Sequence, residues 1–367
     1  MKDFIFRNDT KLLFRNDIRE TIAEVTKEHK VMFVYGSGSV KRNGCYDDIV
    51  RTLTDANIPF VEYGDSSREF ERIQEGIRVA KSEGVTMIIG AGGASVMDSA
   101  KLIAFGCYHE SELWDYLKGK ASYGLERLTL ALIPTYPSSG SENGLGAVAI
   151  DSRTGDFGTA YGIPADYAIL CPKYSLSLGK EMTTYTGLVT LVQLSASILG
   201  DKNKMSYDAG ISYIRNVLEA TKVLQDDPDN LDARGIIMMG ASLSTSSRLG
   251  IGKENTFAYD IYELEFLPER LFGSSYRRSL TSLFPRFLHV MGRHYAEDIR
   301  KYFADAFGFT SSIEESVNKL IELFFSLGVP MYYDEKINCE QIKDIPYQTE
   351  LNEEEVIEIM NSLVKHE

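Results

Sequence analysis

Short apolar runs alternate with amphipathic stretches through the first half of the chain. Val31 to Tyr35, Phe60 to Tyr63, Val85 to Ile89 and Leu128 to Ile133 read as buried strands, each short and bounded by glycine or polar residues. Between them, Ile18 to Glu28, Asn43 to Ala56, Glu69 to Ser82 and Ser95 to Phe105 carry apolar residues at helical spacing. Strand alternating with helix predicts a mostly parallel sheet with helices on both faces. At the start, Phe4–Phe6 and Leu12–Phe14 flank the polar Arg7–Thr10 and predict a β-hairpin. The texture changes near Pro172. Downstream, Thr184–Leu199, Leu231–Ser244, Tyr259–Phe272, Leu280–Gly292, Ile299–Phe307, Ile313–Leu327 and Glu353–Lys365 are helical, with no convincing buried strand. The pattern predicts an α/β domain over residues 1–172 and an all-α domain over residues 173–367. Ligands of open α/β sheets bind at the carboxyl ends of the strands, so the cleft between the domains is the expected active site.

Composition narrows the function. The chain has 367 residues and 44% hydrophobic content, enough for one large or two medium globular domains. A net charge of −14 repels phosphate backbones and argues against nucleic acid as a partner. No run reaches the roughly 18 apolar residues of a membrane span, and Met1-Lys2-Asp3-Phe4 does not open a signal peptide. Cys45, Cys107, Cys171 and Cys339 form no CxxC pair, which fits free thiols in a reducing compartment. The expectation is a cytoplasmic protein acting on a small molecule.

The stretch Gly90-Ala91-Gly92-Gly93-Ala94-Ser95 supplies the first candidate chemistry. A strand, a glycine turn and a helix start together make an anion site, since glycines let backbone approach a phosphate and the helix N-terminus offers free N–H groups. Gly36-Ser37-Gly38-Ser39 repeats the arrangement after the strand Val31 to Tyr35. Lys41 lies beside it, and no acid stands in that loop to bind a ribose 2′-hydroxyl. A hydroxyl with a lysine suits a 2′-phosphate, so NADP(H) is expected over NAD(H).

Several stretches resemble the iron-containing (group III) alcohol dehydrogenases, closest to their NADPH-dependent butanol dehydrogenase and aldehyde reductase branch. Tyr35 to Gly44 is similar to that family's Y-G-x-G-S-x-K-K-x-G. Gly92 to Lys101 is similar to G-G-G-S-x-x-D-x-A-K, with Ala94 for a glycine. Trp114-Asp115-Tyr116 and Ser139-Gly140-Ser141-Glu142-Asn143 match two further motifs in order. The resemblance implies the dehydroquinate synthase-like fold, with a Rossmann-like N-terminal domain, and a homodimer or larger assembly. The expected cofactor-binding residues are Gly36, Gly38, Ser39, Lys41, Gly92, Gly93, Ser95, Asp98, Thr135 and Ser138.

The resemblance fails at the metal. The family holds its ion with an Asp and a His four apart on one helix, and two later His. Val189 and Gln193 stand at the first two places, and Tyr276 at the last. The third falls near Ala258 or Tyr262. No histidine lies between His109 and His289; the others are His29, His294 and His366. No metal is therefore expected. Tyr276, Tyr262 and Arg277 are the expected catalytic residues, acting as proton donor or electrostatic clamp in place of the ion. These side chains also suit simple filling of the vacated space. The expected function is NAD(P)H-dependent reduction of a small carbonyl or imine; the alternative is an inactive nucleotide-binding or scaffold protein.

Overall fold

A computed structural model of the chain describes residues 2–109, 113–122, 124, 126–334, 341–342, 345 and 347–365. Cys339 and His366 lie outside the described residues. The chain forms two compact units. One comprises Arg7–Leu178 and Ala241–Ser246; the other comprises Met1–Phe6, Gly179–Gly240 and Ser247–Glu367.

The first unit contains the strands β1 (Lys11–Phe14), β2 (Val31–Tyr35), β3 (Phe60–Tyr63), β4 (Met87–Gly92), β5 (Thr129–Pro134), β6 (Ala147–Ile150), β7 (Phe157–Ala160) and β8 (Tyr167–Leu170). Six of them form one sheet in the order β1-β8-β5-β4-β2-β3, and every pairing is parallel. The helices are α1 (Arg19–Thr26), α2 (Ser39–Arg42), α3 (Cys45–Asp55), α4 (Phe70–Ser82), α5 (Ala94–His109) and α6 (Leu113–Leu117). Alternation along the strands sorts the core onto two faces. Val31, Phe33, Met87 and Ile89 pack with Ile18, Ile22, Ile49 and Leu53 of α1 and α3 or their flanks. Met32, Val34, Ile88 and Leu130 pack with Ile73, Ile77, Met97 and Ile103 of α4 and α5. A strand buried on both faces must be apolar at every position, which is why β2 reads as a continuous run.

Three features differ from the sequence expectation. β1 forms no hairpin; it pairs in parallel with β8, Lys11 opposite Tyr167. Leu12 and Leu13 are only partly buried, as suits an edge strand. The strand predicted to end at Ile89 runs on to Gly92, because Gly90, Ala91 and Gly92 continue the ladder against Leu132, Ile133 and Pro134. Their small size lets α5 close on the sheet: a Cβ on Gly90 would lie 2.6 Å from that of Ala100. Finally, β6 and β7 form a separate antiparallel pair.

The second unit is helical: α7 (Lys180–Ile198), α8 (Lys204–Asp226), most of α9 (Leu231–Ser244), α10 (Phe257–Phe272), α11 (Tyr276–His294), α12 (Ala296–Phe307), α13 (Ile313–Ser326) and α14 (Glu353–Ser362). α7 is the central element, with 15 of its 19 residues buried. Leu188, Leu191, Ile214, Leu264, Phe284, Phe303 and Leu320 share one core. No helix among the described residues is long and apolar enough to cross a membrane.

Candidate functional site

β2 has β3 on one side and β4 on the other, while β4 is followed on its far side by β5. The chain thus leaves the carboxyl ends of β2 and β4 in opposite directions, at the switch point where open α/β sheets bind ligands. Both glycine loops emerge there. Gly92 closes β4, and a Cβ on it would press to 2.9 Å from Val96. Gly93 has space, since an added Cβ would meet only Tyr136 at 3.8 Å. The 16-residue α5 then begins, and its first N–H groups have no carbonyl of their own helix to bond. Ser95 accepts a bond from the Arg68 N–H (3.2 Å) and keeps its own proton to donate. Thr135 is tied to the same place by its N–H to the Gly92 carbonyl (2.9 Å), and Ser138 is buried nearby in sequence. Gly36 precedes Gly38, which caps the single turn of Ser39, Lys41 and their neighbours. Backbone donors, a hydroxyl and an uncrowded glycine fit a pyrophosphate.

Asp98 is placed differently from a ligand contact. Its carboxylate is buried and accepts from Arg68 Nε (2.9 Å), Ser141 Oγ (2.7 Å) and the Val148 N–H (3.3 Å). One turn on, the fully buried Lys101 donates to the Gly144 and Gly146 carbonyls, both at 2.8 Å. Desolvation pulls its ammonium down to about 8 against the pull of Asp98 and Glu142. Desolvation likewise pushes buried Glu142 up to about 7. The D-x-A-K spacing puts Asp98 and Lys101 on one helix face, and together they hold the Gly140–Gly146 loop.

An acid does stand at the first loop, contrary to the sequence expectation. Glu62, on β3, accepts from the hydroxyls of Tyr35 (2.7 Å) and Tyr46 (2.8 Å). Lys41 lies over both rings, 5.5 and 4.9 Å from their centroids. Desolvation first, and then the Glu62 bond, raises the Tyr35 phenol; for Tyr46 the Glu62 bond leads. Glu62 comes from the strand after the loop, some two dozen residues on. That is where dinucleotide folds often carry a ribose-binding acid, so the signal was in the sequence.

In the helical unit the predicted residues do gather. Gln193 Nε2 donates to the Tyr276 hydroxyl at 3.3 Å. Val189 and Gln193 are buried on α7, and Tyr276 opens α11 with 36% of its surface exposed. Tyr262, on α10, is partly buried; desolvation lifts its phenol well above the usual value, and Tyr276 and Glu265 add to the lift. Arg277 lies over the Tyr185 ring at 5.7 Å. Tyr185, Val189 and Gln193 recur every four residues, so they share one face of α7. Tyr185 gave no signal in the sequence beyond that spacing. A cavity of about 500 Å³ in this unit, lined by Gly200, Asp201, Tyr259, Asp260 and Tyr295 among others, holds none of the predicted residues.

Residues 9–174 match the sequence model of the iron-containing alcohol dehydrogenases. Over that stretch the chain is similar to the iron-containing alcohol dehydrogenases. It is 24% identical to an NADH-dependent butanol dehydrogenase A of Clostridium acetobutylicum, over 90% of this chain and 88% of that protein. It is 25% identical to an NADPH-dependent aldehyde reductase of Escherichia coli, over 70% of this chain and 68% of the relative. The crystal structure of an NADH-dependent butanol dehydrogenase A from Thermotoga maritima superposes with a TM-score of 0.89 at 24% identity, covering 100% of this chain and 99% of that one. Iron-containing dehydrogenases need donors for their ion. At the places that motif spacing assigns to those donors stand Val189, Gln193, Tyr276 and either Ala258 or Tyr262, a set that does not suit a divalent iron. Among the described residues, no group of three or more His, Cys, Asp or Glu side chains is arranged to hold a metal.

Proposed function

We propose that this chain is an NAD(P)H-dependent oxidoreductase that reduces a small carbonyl or imine without a metal. The observation that carries the reading is the bond between Gln193 and Tyr276, two residues that motif spacing assigns to the family's metal-ligand places. The α/β unit holds the dinucleotide, with α5 and Gly93 at the pyrophosphate and Gly36, Gly38, Ser39 and Lys41 on the adenosine side. When bound, the nicotinamide supplies a hydride to the carbonyl carbon. Tyr276 donates the proton to the oxygen, and its exposed edge lets solvent restore that proton. Gln193 orients the hydroxyl. Tyr262, with its phenol pushed high by burial, stays neutral and adds hydrogen-bond polarity.

The reading is tested by titrating purified protein with NADPH and NADH by fluorescence, with elemental analysis of the same sample. Micromolar binding of a dinucleotide without stoichiometric metal is expected. Absence of binding at millimolar concentration, or one tightly held metal per chain, defeats it.

Lys41 favours NADP(H), and Glu62 opposes it from behind the two tyrosines. Glu62→Gln is expected to raise NADPH affinity relative to NADH by about 3- to 10-fold, since a nearby negative charge is removed. An unchanged ratio in the same titration would mean that Glu62 acts only as an anchor for Tyr35 and Tyr46.

A further inference from the structure

From its first turn to its middle, α11 carries arginines that no carboxylate among the described residues pairs with. The chain is acidic, with 53 carboxylate residues against 39 lysines and arginines, and three of its partly buried arginines have a carboxylate partner. Arg68 pairs with Asp98, Arg72 with Glu75 and Arg127 with Asp166. Arg277, Arg278 and Arg286 differ. Among the described residues, none of the three pairs with a carboxylate. Arg277 Nε, Arg278 Nε and Arg286 Nη2 are enclosed and lack a hydrogen-bond partner, and Arg286 is only 4% exposed. An enclosed N–H without an acceptor is costly, so three on one helix are not neutral packing.

Aromatic rings hold these groups in place. Arg277 lies over Tyr185, Arg278 over Tyr333 at 4.3 Å and Arg286 over Tyr332 at 4.8 Å. The phenol of Tyr185, raised mainly by burial, feels both Arg277 and Arg278, so these groups share one neighbourhood. Glu181, one turn before Tyr185, also acts on that phenol but forms no ion pair with either arginine. The N-terminus of α11 has no side-chain cap and no acid in its first turn. Among the described residues, Arg277 alone of the three makes no hydrogen bond through its side chain, so its guanidinium has no acceptor of its own.

We propose that Arg277, with Arg278 beside it, binds a carboxylate at the far end of the substrate whose carbonyl meets Tyr276. This rests on the oxidoreductase reading above and narrows its substrate to aldehydes that carry a carboxylate. The α7 face sets the span. Tyr185, under Arg277, and Gln193, bonded to Tyr276, are eight residues apart, roughly 12 Å along the helix. The carboxylate and the carbonyl are therefore separated by several carbons. A guanidinium takes a carboxylate through two parallel bonds, whereas a neutral chain end leaves it unpaired.

The test compares kcat/KM for ω-oxo acids of four to eight carbons with that for unsubstituted aldehydes of equal length. The wild type is expected to prefer the acids by about 10-fold or more, most strongly at six to eight carbons. Arg277→Met should cut that ratio by about 10- to 100-fold, and Arg277→Lys should restore part of it. Adipate binding, measured by calorimetry on the full-length protein, gives a readout free of turnover and should be lost in Arg277→Met with thermal unfolding preserved. Equal kcat/KM for acids and plain aldehydes overturns the proposal and leaves the oxidoreductase reading intact. Turnover of neither series, with adipate binding still dependent on Arg277, removes the oxidoreductase reading and keeps the carboxylate site. No adipate binding and no acid preference overturns the site.

Discussion

Replacing Tyr276 by phenylalanine is expected to lower turnover by about 10²-fold or more, while dinucleotide affinity stays within about twofold. The substitution keeps the ring and removes only the hydroxyl. Little stability is at stake, because that hydroxyl meets Gln193 at a long 3.3 Å on a residue that is 36% exposed. A loss of turnover then reports proton donation rather than unfolding. Tyr262→Phe should cost less, since the Tyr262 phenol is desolvated and raised well above its usual value, which makes it a poor donor. Steady-state kinetics with parallel thermal unfolding separates the cases. Turnover within about threefold of wild type would assign Tyr276 to packing.

Gly140→Ala is the second large effect. Gly140 sits at φ +62°, and a Cβ there would lie 2.1 Å from the Ala241 carbonyl oxygen and 2.2 Å from Thr245 Oγ1. Thr245 Oγ1 also donates to the Gly140 carbonyl at 2.9 Å. An alanine pays the left-handed penalty and meets backbone that cannot swing aside. The expected loss is about 2–5 kcal/mol, or a fall of about 5–15 °C in Tm. Gly155→Ala is the control. Its φ of +70° is similar, but nothing lies within 4 Å of the added Cβ. Only the backbone term of about 1–2 kcal/mol remains there. Similar losses for both would show that the contact with Ala241 yields.

The sheet was legible where burial on both faces forces an unbroken apolar run, as in β2 and β4. It was illegible where small residues do the packing. β6 and β7 bury Ala147, Ala149, Gly158 and Ala160, which carry little hydrophobic signal. α8 escaped for a similar reason: its buried stripe includes Ser206, Gly210 and Thr221 among the apolar residues. The hairpin expected around Arg7–Thr10 was a local reading of a long-range pairing. The site shows the same division. Gln193 and Tyr276 were matched by motif spacing, and they meet. Arg68, which bonds Asp98 and reaches Ser95, belongs to no periodic pattern and became visible only in three dimensions.

α9 leaves the helical unit at Gly240 and ends within the α/β unit, which claims Ala241–Ser246. There the Ser242 carbonyl accepts from Asn143 Nδ2 at 3.0 Å, and Thr245 clasps Gly140. On the ribosome, then, the loop after β5 is made about a hundred residues before the segment that fastens it. At ~5–20 residues per second that delay is roughly 5–20 s. β1 waits longer still for β8, which follows it by roughly 150 residues. Until both arrive, the nascent sheet has an unpaired edge, a stretch of chain that a holdase would recognise.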